Sequence, residues 1–278
     1  LFPLNGHGQY RAMLGANANP YGVFWLEIIG TLSGGLVTAR NLAEMGKKSV
    51  AVITAPIESE LIYPAVRGRD VVRWNTRPGV HVPVVQDPKT RSGYPEETLR
   101  SKWPAAWAYL SRFRPELVSR ALYRKYHLDA GRPFYSQFNI GAETFLPFKV
   151  VWKRMSNDLT AAVISSADGP LGAKLVLPLE TTGMIGCNRE DEAHYICAML
   201  NSKPARDFVK SFSAAGRGFG TPSVVRHLDL PRFDDTNPCH RKLAGLSAEL
   251  HRIRKGGARE GIIDLEAEID GAIRALAG

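Results

Sequence analysis

The feature that most constrains this chain is a series of short β-branched and aromatic runs that gives way to helical periodicity. VFWLEII (23–29), GLVTARNL and KKSVAVIT (47–54) each read as a strand, and Gly34–Gly35 supplies a hairpin-like turn between the first two. RGRDVVRW (67–74) reads as a further strand or strand end, and strand-like runs return at 147–152, 159–164 and 173–179. Between them, Pro104 to Tyr126 is helical in pattern. Trp103, Trp107 and Leu110 fall on one face there, Pro104 suits a first turn, and Pro115 starts a second helix. Consecutive helices are predicted at 190–202 and 203–213, the first opened by Asn188, Glu190 and Asp191. Two amphipathic helices come next at 238–255 and 262–276, broken at Lys255–Gly256–Gly257–Ala258. Residues 1–22 and 75–95 carry loop composition. This order predicts an α+β fold, a twisted and mostly antiparallel sheet with flanking helices and a helical C-terminal tail. The expected division is an α+β domain over 1–236 and the tail over 237–278.

The 278 residues suffice for a real core, and 44% hydrophobic with 23% charged residues is ordinary globular composition. The net charge of +9 favours a phosphate-bearing partner, although a merely solvated basic surface gives the same count. No apolar run approaches a membrane span, and residue 1 does not open a signal peptide. A chain that starts at Leu1 without a methionine reads as a fragment of a larger protein. Cys187, Cys197 and Cys239 form no CxxC pair, and His194 and His240 complete no metal-ligand spacing. Cys197 lies in an apolar helical stretch and is expected in the core, and a reducing cytoplasm is the expected compartment.

Several strings invite a chemical reading. On a strand, Arg67, Arg69 and Arg73 would share one face with Asp70 turned away, which suits phosphate contact or acidic neighbours equally. Phe148 to Trp152 reads as a buried strand set among Lys149, Lys153 and Arg154. FYSQFNIG (134–141) carries Gln137 and Asn139, amides able to pair bidentately with adenine, while Tyr135 and Phe138 fit a core as well. GRGFG (216–220) comes after a helix rather than a strand and precedes Pro222, which argues against a dinucleotide loop. It reads as a helix-ending loop or as a close backbone approach to nucleic acid, with Arg217 supplying a fork of donors. Asn19–Pro20–Tyr21 lacks the second proline of the Asn-Pro-Pro-Tyr signature of amino-methyltransferases and reads as an ordinary turn. HRKLAGLSAELHRIRK (240–255) reads as a packing helix with a solvated face. No nucleophile–base set, paired-carboxylate nuclease site or G-x-S-x-G elbow emerges.

Taken in order, GANANPYGVFWLEI, GLVTARNLAEMGKKSV, LIYPAVRGRDVVRW, YPEETLRSKWPAAWAYLSRFRPELVSR, PFYSQFNIGAETFLPFKVVWKRMSNDLTAAVI, EAHYICAMLNSKPARDFVKSFS and GRGFGTPSVV resemble one family. It is the TaqI-like C-terminal target-recognition domain of adenine-N6 DNA methyltransferases of restriction-modification and phage-defence systems. The resemblance extends over nearly the whole chain and includes the ending DLEAEIDGAIRALAG. It implies a sequence-specific double-stranded DNA recognition module without its own catalytic domain. S-adenosylmethionine and the catalytic motif would belong to an N-terminal methyltransferase domain of the parent protein, so no cofactor, metal or catalytic residue is expected here. Arg67, Arg69, Arg73, Lys149, Lys153 and Arg154 are then expected on phosphates, with Gln137, Asn139 and Arg217 as base readers. The alternative is a module that docks a methyltransferase or defence-complex subunit through Trp103, Trp107 and Trp152, with DNA binding incidental. A self-contained enzyme is the third reading, without motifs to support it.

Overall fold

The computed structural model describes residues 9–213 and 218–277. Among the described residues, ten strands build the main framework: β1 (Met13–Leu14), β2 (Leu26–Thr31), β3 (Leu36–Asn41), β4 (Thr54–Glu58), β5 (Ile62–Val66), β6 (Val80–Pro83), β7 (Phe148–Lys153), β8 (Ala161–Ile164), β9 (Leu177–Pro178) and β10 (Thr182–Cys187). The principal helices are α1 (Glu96–Lys102), α2 (Pro104–Ser111), α3 (Glu190–Asn201), α4 (Lys203–Phe212), α5 (Pro238–Lys255) and α6 (Ile262–Ala277). The architecture is α+β, and the strands form two principal sheets rather than one. The larger has the order β9-β5-β6-β2-β3-β4 and the smaller the order β1-β10-β7-β8. Every pairing in them is antiparallel except β9 with β5.

The β2–β3 hairpin forms because Gly34 and Gly35 both adopt positive φ, +72° and +75°, which other residues rarely do. The third predicted strand is displaced: the ladder starts at Thr54, and the 47–53 stretch lies outside it. β10 is a central strand that its sequence, TGMIGC, does not announce, because glycine is unfavourable in strands. Packing explains Gly183. A side chain there would meet the Trp152 indole at 2.3 Å, since Trp152 lies directly across the β7–β10 ladder.

The helices around 96–126 cover the larger sheet, with Leu26, Ile57, Val82 and Leu99 in that core. A second core lies between the smaller sheet and α3, and α5 and α6 close it through Leu243, Leu250, Ile269 and Ile273. Strand β7 serves two sides at once. Val150 and Trp152 enter the helical core, while Val151 meets Val66 of β5 and Met184 of β10 in a small cluster that joins the sheets. α4 begins at Ser202, whose Oγ accepts the Ala205 amide, and α5 begins at Asn237, whose Oδ1 accepts the Cys239 amide at 2.9 Å. No helix among the described residues is long and apolar enough to cross a membrane.

Candidate nucleic-acid interface

The exit of β7 is where separate parts of the chain converge. The Lys153 and Arg154 amides are held by Thr160 O and Thr181 O, at 3.3 and 3.2 Å. Gly220 closes on the same point. Its amide donates to Arg154 O at 2.9 Å, and its carbonyl accepts the Trp152 Nε1 proton at 2.8 Å. Only glycine fits this approach, because a Cβ on Gly220 would lie 2.1 Å from Lys153 O. Phe219, buried beside it, anchors the segment in the helical core. Strand end and glycine segment, far apart in sequence, are therefore one structural unit. Its cationic side chains are Lys153 and Arg154, both half-buried and in no ion pair among the described residues.

Behind this exit lies a polar cluster. Glu180 is buried, accepts Asn19 Nδ2 at 3.2 Å and donates its own amide to Ala16 O at 3.0 Å. Burial raises its carboxyl above the usual range, against the pull of a hydrogen bond from Tyr21 and the charge of Arg154. Asn17 Oδ1 accepts both the amide and the side chain of Asn19, and Asn17 N donates to Phe138 O at 2.9 Å. Arg120 ties the same segments together by donating to Asn19 O and Ser136 O at 3.3 and 2.9 Å. The Asn-Pro-Tyr string is thus more than a turn. It positions groups beside Glu180 and Arg154, a role no local spacing reveals because Glu180 lies 161 residues from Asn19.

A second concentration of positive charge sits on α4. Asp158 is contacted by Arg73 and Arg206 at 3.0 Å and by Lys210 at 3.1 Å, so three cations share one carboxylate. Arg73 also reaches Glu266 at 3.5 Å. Burial acts to raise the Asp158 carboxyl, but the hydrogen bonds and charges of Arg206 and Lys210 outweigh it and hold it low. Sequence reasoning missed Arg206 and Lys210, although their i, i+4 spacing places them on one face of a helix.

The nine residues singled out from the sequence meet different fates. Arg67 to Arg73 do not form a strand face. Gly68–Asp70 is a 3-10 turn, and Asp70 turns back to pair with Arg67 through two hydrogen bonds of 2.7 and 2.9 Å. Arg67 is thereby buried, 5.4 Å from the centre of the Trp25 ring. Arg69 is exposed, and Arg73 is ion-paired with Asp158. Gln137 is internal: its amide accepts from Val85 N and donates to Pro83 O, so no edge is left for a base. Lys149 is fully buried, because β7 is an inner strand covered on both faces. Its ammonium donates to Leu146 O at 2.8 Å and Thr144 O at 3.4 Å, and desolvation pushes its pKa down to about 8. Asn139 is exposed with φ +57°, a conformation asparagine tolerates better than most. Arg217 lies outside the described residues. Trp103 and Trp152, expected on a docking surface in the alternative reading, are core residues, and Trp107 is half-buried with Arg100 4.3 Å from its ring centre.

No family model and no curated protein matches the sequence. Among solved structures, the chain is similar to the Type IIL restriction-modification enzyme MmeI, determined in complex with DNA. The similarity has a TM-score of 0.60 at 10% sequence identity and covers 100% of this chain. It takes in 33% of the enzyme, so the chain spans about a third of that protein's length and shares a fold found in a restriction-modification enzyme.

Proposed function

We propose that this chain is a sequence-specific double-stranded DNA recognition module of a restriction-modification system. The observation that carries the reading is the β7 exit. There a basic strand end and Gly220, which admits no side chain, meet a buried polar cluster that reaches the Phe138 carbonyl, one residue before exposed Asn139. A fold shared over the full chain with an enzyme solved on DNA supports it. Lys153, Arg154 and Arg69 would contact phosphates, and Lys210 and Arg206 would add charge along α4. Asn139 is the described base-reading candidate; Arg217 keeps that role on sequence context alone. In this reading the parent protein is an adenine-N6 methyltransferase. S-adenosylmethionine would bind a catalytic domain in the same parent chain, and the whole would act in the cytoplasm.

The test is selection from a randomised duplex library at two salt concentrations, with the retained DNA sequenced. Enrichment of a defined motif is expected. Arg217→Ala should relax that preference in a competition assay. Absence of binding even at low salt would overturn the proposal.

A further inference from the structure

A second site lies on the other lobe, against the larger sheet. Between β5, the 84–94 segment and the α1–α2 junction is a cavity of about 330 Å³, at the small end of ligand sites. Tyr63, Tyr94, Trp103 and Phe145 line it. Two tight aromatic pairs build the walls: Tyr94 on Trp103 at 4.8 Å between ring centres, and Tyr63 edge-on to Phe145 at 5.5 Å. Glu60 is exposed at the rim and fixed there by the Trp103 Nε1 proton on one carboxylate oxygen. Its other oxygen and the Tyr63 and Tyr94 hydroxyls have no hydrogen-bond partner among the described residues. Lys102 is exposed at the same rim, its ammonium 4.3 Å from the Trp103 ring centre, and forms no ion pair among the described residues.

Aromatic walls of this kind have two common occupants, cations and flat rings. A cation is disfavoured, because Lys102 already sits over Trp103 and Lys174 lies 4.9 Å from the Tyr63 ring centre. A flat ring with a polar edge satisfies every open group. It would lie against the Tyr94 and Phe145 rings, meet the phenols, and offer an amine to the free Glu60 oxygen. An attached phosphate reaches Lys102. We infer that this cavity binds a nucleotide whose base carries an exocyclic amine, as a free nucleotide or as an unstacked residue of a strand. The strand source rests on the DNA-recognition reading; the free-nucleotide source does not.

The test titrates dAMP, dCMP, dTMP and the nucleoside deoxyadenosine against the intact chain by saturation-transfer NMR, alongside Glu60→Gln and Lys102→Ala variants. The amine-bearing nucleotides are expected to bind at least five-fold more tightly than dTMP. Glu60→Gln should erase that preference, and Lys102→Ala should make nucleotide and nucleoside bind alike. Two duplexes, fully paired or with one unpaired cytosine, then identify the source. A gain for the bulged duplex that Glu60→Gln removes points to a strand, and nucleotide binding without such a gain points to the free molecule. Absence of saturable binding in the low millimolar range, or an unchanged preference in Glu60→Gln, would overturn the inference. Motif enrichment from the duplex library would still stand in that case, so the two failures are distinguishable.

Discussion

Lys149 and Lys153 lie four residues apart on the same face of β7, yet only one of them reaches water. The difference is position along the strand: Lys149 sits under the 3-10 turn Ala142–Phe145, and Lys153 sits at the exit. Lys149→Ala should therefore act on folding. It removes a buried aliphatic stem and leaves two carbonyls without their donor, at a cost of about 3 kcal/mol. Thermal melting should fall by several degrees, with DNA binding lost only in proportion to the unfolded fraction. Lys153→Ala should leave the melting temperature almost unchanged. It should instead weaken binding evenly across sequences and reduce the salt slope by about 1. Equal melting temperatures for the two variants would contradict this division. Residue type alone could not have separated them, since a lysine in a sheet is legible as buried only once its neighbours in space are known.

At the scale of elements, most of the helices and the β2–β3 hairpin were legible because periodicity and glycine punctuation are local signals. β10 was not, because its glycines answer to partners distant in sequence: Gly183 to Trp152 on a neighbouring strand and Gly186 to Leu146. The 67–74 segment misled for a related reason: alternation suggested a strand, and the Arg67–Asp70 pair closes a turn instead. The candidate site was legible in its segments but not in its assembly. Gly220 is the sharpest case. Gly220→Ala places a methyl against Lys153 O and must lift the segment off β7, breaking the bonds to Arg154 and Trp152. Protease sensitivity near 218–220 should rise, and sequence preference should drop more than total affinity. Asp158 invites the opposite experiment. Asp158→Asn leaves Arg73, Arg206 and Lys210 without their shared counter-charge. Stability should fall by about 1–2 kcal/mol, discounted for partial exposure. Duplex affinity at low salt should rise and the salt slope steepen by about 1, provided that this face meets DNA. Affinity unchanged by the substitution would place the α4 cluster away from the duplex.

The whole molecule depends on a contact between its smaller sheet and its C-terminal helices, and two histidines lie inside it. His251 of α5 accepts the Val163 amide of β8 at 2.9 Å and packs edge-on to Trp74 at 5.8 Å. His194 of α3 contacts Ser247 Oγ at 3.1 Å and lies 4.8 Å from His251, ring centre to ring centre. Accepting from an amide requires the Nε2 of His251 to be unprotonated. Burial pushes His251 from 6.5 down to about 4, and burial together with the His251 charge pushes His194 to about 3. The folded form therefore refuses protons that the unfolded chain accepts below pH 6.5. Stability is fully present above that pH and is lost as pH falls toward 4, by on the order of 1.4 kcal/mol per pH unit for each histidine. Exposed Glu190, 4.0 Å from His194, offsets only part of the charge. The melting temperature should thus decline steadily between pH 6.5 and 4.5. The decline should be shallower in His194→Gln, which keeps a polar partner for Ser247 without the titration. A flat profile across that range would mean that the interface opens to water before it titrates, and that α5 is held by its leucines alone.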